Sequence, residues 1–172
     1  MKKLVWLFGL TTLLLAALNI ALLLRARNFE LTDGLGHVRA RLFLDKESQP
    51  QLTLYATNGD TRMQCGLIKT GDGEYPEIAM NGGPGNRKRL GVYLTADWNP
   101  SVTLFDANGI PRTSMAIQTQ EGEHLPAIKL LGSDGRPKMH LFGQKDGQHA
   151  SIYILDKEFN LLWQAPPGAK EH

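Results

Sequence analysis

VTLFDANGIPRTSMAIQ, Val102 to Gln118, is two strand-like runs joined at Asn108-Gly109. Before the junction Val102 and Leu104 alternate with Thr103 and Phe105. After it Thr113, Met115 and Ile117 alternate with Arg112, Ser114 and Ala116. A side-chain period of two gives a strand two distinct faces. Asn-Gly between two such runs is a strong short-range hairpin signal, because both residues tolerate positive φ in a tight turn.

The cassette recurs on either side. Gln51 to Arg62 reads QLTLYATNGDTR, and Ala127 to Lys138 reads AIKLLGSDGRPK. Turn glycines stand at Gly36, Gly59, Gly85, Gly109 and Gly135. A basic residue follows each by three places: Arg39, Arg62, Lys88, Arg112 and Lys138. Prolines precede four of the apolar runs, at Pro50, Pro76, Pro100 and Pro126, and Ala150 holds the fifth such position. These landmarks are 26, 24, 26 and 24 residues apart. A fixed period of about 20–50 residues marks a repeat architecture, and the alternating spacing groups the hairpins in pairs. A proline at the first residue of a strand is tolerated, since the ladder does not need its missing N–H there. The last unit departs from the pattern: Ile152–Asp156 fits a first strand, but Lys157-Glu158-Phe159-Asn160 forms the turn and no basic residue follows. Leu161–Gln164 then closes the repeats, as expected of a cap over the last open edge.

The expected fold is therefore all-β, an antiparallel meander of about five β-hairpin repeats of 24–26 residues plus a capping half-repeat, preceded by one transmembrane helix. Closure into a barrel-like or propeller-like shape removes exposed edges; an elongated solenoid is the open alternative. The expected division is an anchor over 1–27, a short polar linker over 28–37, the β-repeat domain over 38–166 and a frayed tail over 167–172.

The anchor is read from Leu4–Leu24, 21 residues without charge and with one interior amide, Asn19. At about 1.5 Å per helical residue this spans roughly 30 Å of hydrocarbon. It is longer than the apolar core of a cleaved signal peptide, and Ala21 precedes Leu22-Leu23-Leu24-Arg25, a poor cleavage context. A retained signal-anchor is the favoured reading. Lys2 and Lys3 on a very short tail place the amino terminus in the cytoplasm. The β-domain then lies outside the membrane, in the periplasm or exterior of a bacterium.

The 172 residues carry a formal net charge of +2, but four of the 19 basic residues, Lys2, Lys3, Arg25 and Arg27, flank the anchor. From Asn28 onward acids outnumber bases, 17 to 15. The basic balance belongs to the anchor and gives no argument for nucleic-acid binding, which requires a clustered basic face.

Candidate chemistry is sparse. The single cysteine, Cys65, excludes an intramolecular disulfide and alternates with Met63 and Leu67 as a structural thiol. The five histidines have no metal-ligand spacing, although His140 and His149 fall on neighbouring strand-like segments. Asp106-Ala107-Asn108-Gly109 and Gly71-Asp72-Gly73-Glu74 resemble calcium loops superficially, without the required ligand offsets. No cofactor or metal site is expected. Trp98, Trp163, Tyr55, Tyr75, Tyr93 and Tyr153 are candidates for a sugar-stacking surface or, more simply, cross-strand packing. The best surface feature is the row Arg39, Arg62, Lys88, Arg112 and Lys138. In register these share one rim, suited to anionic lipid or polymer unless paired with the nearby Asp60, Asp106 and Asp134.

These features point away from catalysis and toward an interaction or scaffold module, an accessory subunit of a membrane-associated assembly. Its expected partners are the bilayer through residues 4–24, other subunits of a membrane complex, or further copies of itself. An envelope-polymer or glycan-binding module is the alternative, and an enzyme a distant third.

Overall fold

The computed structural model describes residues 11–16, 18, 28–71, 73–144 and 150–166. The strands, β1 to β12 in chain order, are Asn28–Thr32, Val38–Leu44, Pro50–Tyr55, Thr61–Thr70, Gly73–Gly82, Arg87–Leu94, Pro100–Phe105, Pro111–Gln120, Glu123–Leu131, Pro137–Gly143, Ala150–Leu155 and Leu161–Ala165. All twelve form one antiparallel sheet, and their spatial order is their chain order.

The sheet is an open meander. Barrel-like closure does not occur, because β1 and β12 each pair only with their inward neighbour. The stretch read as a polar linker, 28–37, also contributes more than a connection: Asn28–Thr32 pairs with β2 across Phe29↔Leu42 and Leu31↔Ala40. Phe29 and Leu31 supply the alternation that extends the sheet by one strand, so the hairpins number six. Helical residues 11–16 and 18 precede it. Among the described residues no helix is long and apolar enough to cross a membrane. Most of the expected anchor, Leu4–Leu24, lies outside the described residues, as does all of the expected tail, 167–172.

Two kinds of connection recur in the described meander, beside the 3-10 turn Pro84–Asn86 that joins β5 to β6. The first is a five-residue turn. In Asp106–Ile110, Gly109 N–H donates to the Asp106 carbonyl at 3.0 Å and Asp106 N–H to the Ile110 carbonyl at 2.9 Å. Gly109 has φ +78°, whereas Asn108 is not in the left-handed region. The turn is thus a type I turn closed by a left-handed bulge residue, and not the two-residue turn in which both central residues have positive φ. The same bond pair recurs at Asp33–His37, Asp45–Gln49, Ala56–Asp60, Thr95–Asn99, Gly132–Arg136 and Asp156–Asn160. Ser48, Trp98 and Phe159 hold the left-handed position in three of these, at φ 64°, 59° and 69°.

The second kind is the tight turn joining the long strands β8 and β9, where Glu121 and Gly122 both have positive φ, 51° and 85°. The long hairpins β4–β5 and β8–β9 run in register to Thr70↔Gly73 and Gln120↔Glu123.

Candidate functional site

Register aligns apolar residues from all twelve strands in rows on one face. Following the Cα partners across the sheet, one row reads Phe29, Leu42, Leu52, Cys65, Ile78, Val92, Val102, Met115, Ile128, Leu141, Ile152 and Ala165. The adjacent row reads Leu31, Ala40, Leu54, Met63, Met80, Leu90, Leu104, Thr113, Leu130, Met139, Ile154 and Trp163, with Thr113 its one polar member. A third, partial row adds pairs such as Leu44↔Pro50, Leu67↔Pro76 and Ile117↔Pro126.

This apolar face is open. Phe29 is 50 % exposed, Leu42 50 %, Leu104 47 %, Met115 55 % and Leu130 44 %. Between β2 and β7 it forms a groove of about 590 Å³ whose lining includes Leu42, Leu52, Cys65, Ile78, Val92 and Leu94. Alternation of this kind ordinarily turns the apolar side of a sheet toward a second layer. Among the described residues there is no such layer.

The opposite face is the closely packed one. Its central row is Glu30, Arg41, Thr53, Gln64, Ala79, Gly91, Thr103, Ser114, Lys129, His140, Tyr153 and Gln164. The buried strand residues all lie on this side, among them Thr53, Tyr75, Ala79, Ser101, Thr103, Ala127, Ser151 and Tyr153. Small residues here make room for long neighbours. Gln51 lies over Gly66 and its Nε2 donates to the Leu67 carbonyl at 2.5 Å. The Phe105 ring approaches to 3.6 Å of where a Cβ on Gly91 would stand. Tyr93 Oη and Thr103 Oγ1 share a hydrogen bond of 3.2 Å, and Asn99 Nδ2 donates to Thr119 Oγ1 at 2.6 Å.

The basic rim is a row of ion pairs. A meander starts all its even-numbered strands at the same end, so Arg39, Arg62, Lys88, Arg112 and Lys138 do share that end of the sheet. Each has an acid: Arg39 with Asp33 at 3.5 Å, Arg62 with Asp60 at 3.3 Å, Arg112 with Asp106 at 2.6 Å, Lys138 with Asp134 at 3.8 Å, and Lys88 with Glu77. Arg39 Nε also donates to the Tyr55 carbonyl and Lys138 Nζ to the Asp156 carbonyl, both at 3.3 Å. Such half-exposed pairs contribute roughly 0–1 kcal/mol each; here they tie turns to strands.

The turn aspartates are occupied too. Asp106 Oδ1 accepts the N–H groups of Asn108 and Ile110, and Asp33, Asp45 and Asp156 accept the corresponding pairs in their own turns. The N–H donors hold Asp33 and Asp106 below the ordinary carboxylate range. Glu74 accepts from Gln49 Nε2 at 2.8 Å, and Asp72 lies outside the described residues. Among the described residues no three His, Cys, Asp or Glu side chains converge to hold a metal ion.

His140 is partnered across the sheet by Lys129 on one side and Tyr153 on the other. Its ring lies 4.8 Å from that of Phe142, which stacks on Tyr153 at 5.3 Å and 10°. Burial, and then the Lys129 charge, push its pKa down to about 4, so the ring is neutral near pH 7. His149, its suggested neighbour, lies outside the described residues. The six aromatics do not form one platform. Trp163 stands on the apolar face, Tyr75 and Tyr153 are buried in the opposite one, and Trp98 tilts against Tyr75 at 5.3 Å. Sequence reasoning had the five basic residues share one rim through their spacing and named Asp60, Asp106 and Asp134 as nearby acids, but not Asp33 or Glu77. It did not identify the apolar face as the open one, because alternation separates two faces without saying which is covered.

No protein-family model matches the chain, and no curated protein matches it either.

Proposed function

We propose that this chain is a noncatalytic interaction module, carried by the apolar segment 4–24 as a single-pass membrane protein with a cytoplasmic amino terminus. The sheet then stands in the periplasm or outside the cell, where it acts as an accessory subunit of a membrane-associated assembly. One observation supports this reading: two apolar rows, broken only by Thr113, run across all twelve strands and remain open. Large apolar patches on a soluble surface mark sites where another molecule sits. Native mass spectrometry of the tagged full-length chain, extracted gently from its own membranes, tests it. The expected result is a discrete particle heavier than the 19.1 kDa chain. A lone chain carrying only bound glycan would favour the envelope-polymer alternative, and a bare monomer at every detergent strength overturns the interaction reading.

A further inference from the structure

We propose that a second copy of this chain covers the apolar face, sheet against sheet. The inference rests on the reading of the chain as an interaction module and names its partner.

The size of the face is the first argument. Twelve strands at about 4.8 Å spacing make rows roughly 53 Å long, and the two full rows, each occupying a two-residue repeat of about 6.7 Å, are together about 13 Å wide. The footprint, roughly 700 Å², exceeds the largest apolar patch of an ordinary monomer, about 300–600 Å². It approaches the roughly 800 Å² that each partner buries in a stable complex.

The second argument is chemistry. Apart from Thr113 the two full rows contain no polar side chain, and neither contains a charge. Nothing in them demands a complementary charge pattern from a foreign partner. The same Leu, Ile, Val and Met rows repeat from hairpin to hairpin, so the face complements itself under a two-fold axis, the commonest symmetry of soluble oligomers.

Shape is the third. A β-sheet of this breadth twists with a fixed hand, which keeps it from lying flat on a bilayer. Another sheet with the same twist matches it, rows interdigitating about 10 Å apart with strands inclined at roughly 30°. The chain's own apolar helix is not the cover in its described part, where Leu13, Leu14, Leu15 and Leu18 are 58–72 % exposed.

The test uses two full-length copies with different tags, co-expressed and extracted gently, and reads native mass, tag composition and maleimide labelling of Cys65. Cys65 sits in the middle of the apolar row and lines the groove. The proposal expects particles carrying both tags, with Cys65 protected. It also expects the double variant Leu104→Asp, Met115→Asp to dissociate to single chains whose Cys65 labels at least several-fold faster. Lys157→Glu, at a turn residue that is 82 % exposed, should leave the particle intact, and circular dichroism checks that both variants keep the sheet. Protection of Cys65 in the unmutated particle needs no folded variant to be informative. Particles with one tag and a different protein or lipid shielding Cys65 overturn self-covering while leaving the interaction reading standing. A monomer with freely labelled Cys65 overturns both.

Discussion

Arg112 reaches Asp106 through two nitrogens, Nε at 2.8 Å and Nη2 at 2.6 Å from the same Oδ2, while Oδ1 accepts Asn108 N–H at 2.8 Å and Ile110 N–H at 3.0 Å. One carboxylate therefore shapes the turn with one oxygen and fixes the start of β8 with the other. Asp106→Ala should lower the midpoint of thermal unfolding by several degrees. Asp106→Asn keeps an acceptor for the two N–H groups and should recover most of that loss. Equal losses in the two variants, measured by circular dichroism melts, would show that the Arg112 pair and not the turn carries the effect.

Acid should unfold the sheet through its turns. Asp33, Asp106 and Asp134 are held below the usual carboxylate value of 3.8, first by the backbone N–H of His37, Ile110 and Arg136 respectively. Asp156 is held down first by the Asn160 side chain. A lowered folded-state pKa means that the unfolded chain binds more protons in acid. The stabilisation is complete above the unfolded value and is lost as pH falls through the lower folded values. Melts across this range should show the loss below about pH 4, and a variant with all four replaced by Asn should have a flatter profile there.

His140 gives a separate window. Its pKa falls from 6.5 to about 4 in the folded chain, so stability is full above 6.5 and declines as pH drops toward 4. The contribution is on the order of 1–3 kcal/mol. His140→Phe, which keeps a ring beside Phe142, should abolish the decline between pH 6.5 and 4 and leave the loss below pH 4. A decline in this interval as steep as that of the unmutated chain would rule out His140 as its source.

Two glycines should fail for different reasons. Gly109 has φ +78°, and an added Cβ there meets only Arg87 at ordinary contact distance. Gly109→Ala therefore costs only backbone strain, about 1 kcal/mol. Gly66 has ordinary φ, but an added Cβ would stand 2.5 Å from the Pro50 carbonyl oxygen. Gly66→Ala must push β3 from β4, at about 1–3 kcal/mol. Urea midpoints that rank Gly109→Ala as the more damaging would contradict this assignment.

The hairpin cassette was legible because its signals are local: Asn-Gly between alternating runs, a turn glycine, a basic residue three places on. The alternating 26- and 24-residue spacing has a structural cause. Pro50 and Pro100 begin strands, but Pro76 and Pro126 lie inside β5 and β9. The expectation of a strand-initial proline thus holds for only two of the four. The other two are tolerated because β6 pairs with β5 only from Glu77, and β10 with β9 only from Ala127. Openness was not legible, since period two separates two faces without saying which is covered. The face that packs closely is the one with Thr53, Gly66, Ala79, Gly91 and Ser101, whose small side chains let Gln51 and Phe105 lie across them. Hydropathy alone would assign that role to the leucines.

Because spatial order equals chain order, each strand depends only on the segments just before and just after it. Contact order is accordingly low for so large a sheet, and assembly proceeds by zippering from any hairpin that forms first. Stability behaves as a one-dimensional sum of neighbour terms, so melting advances from the two ends. Evolution can lengthen or shorten such a chain by whole hairpins without rewiring what remains.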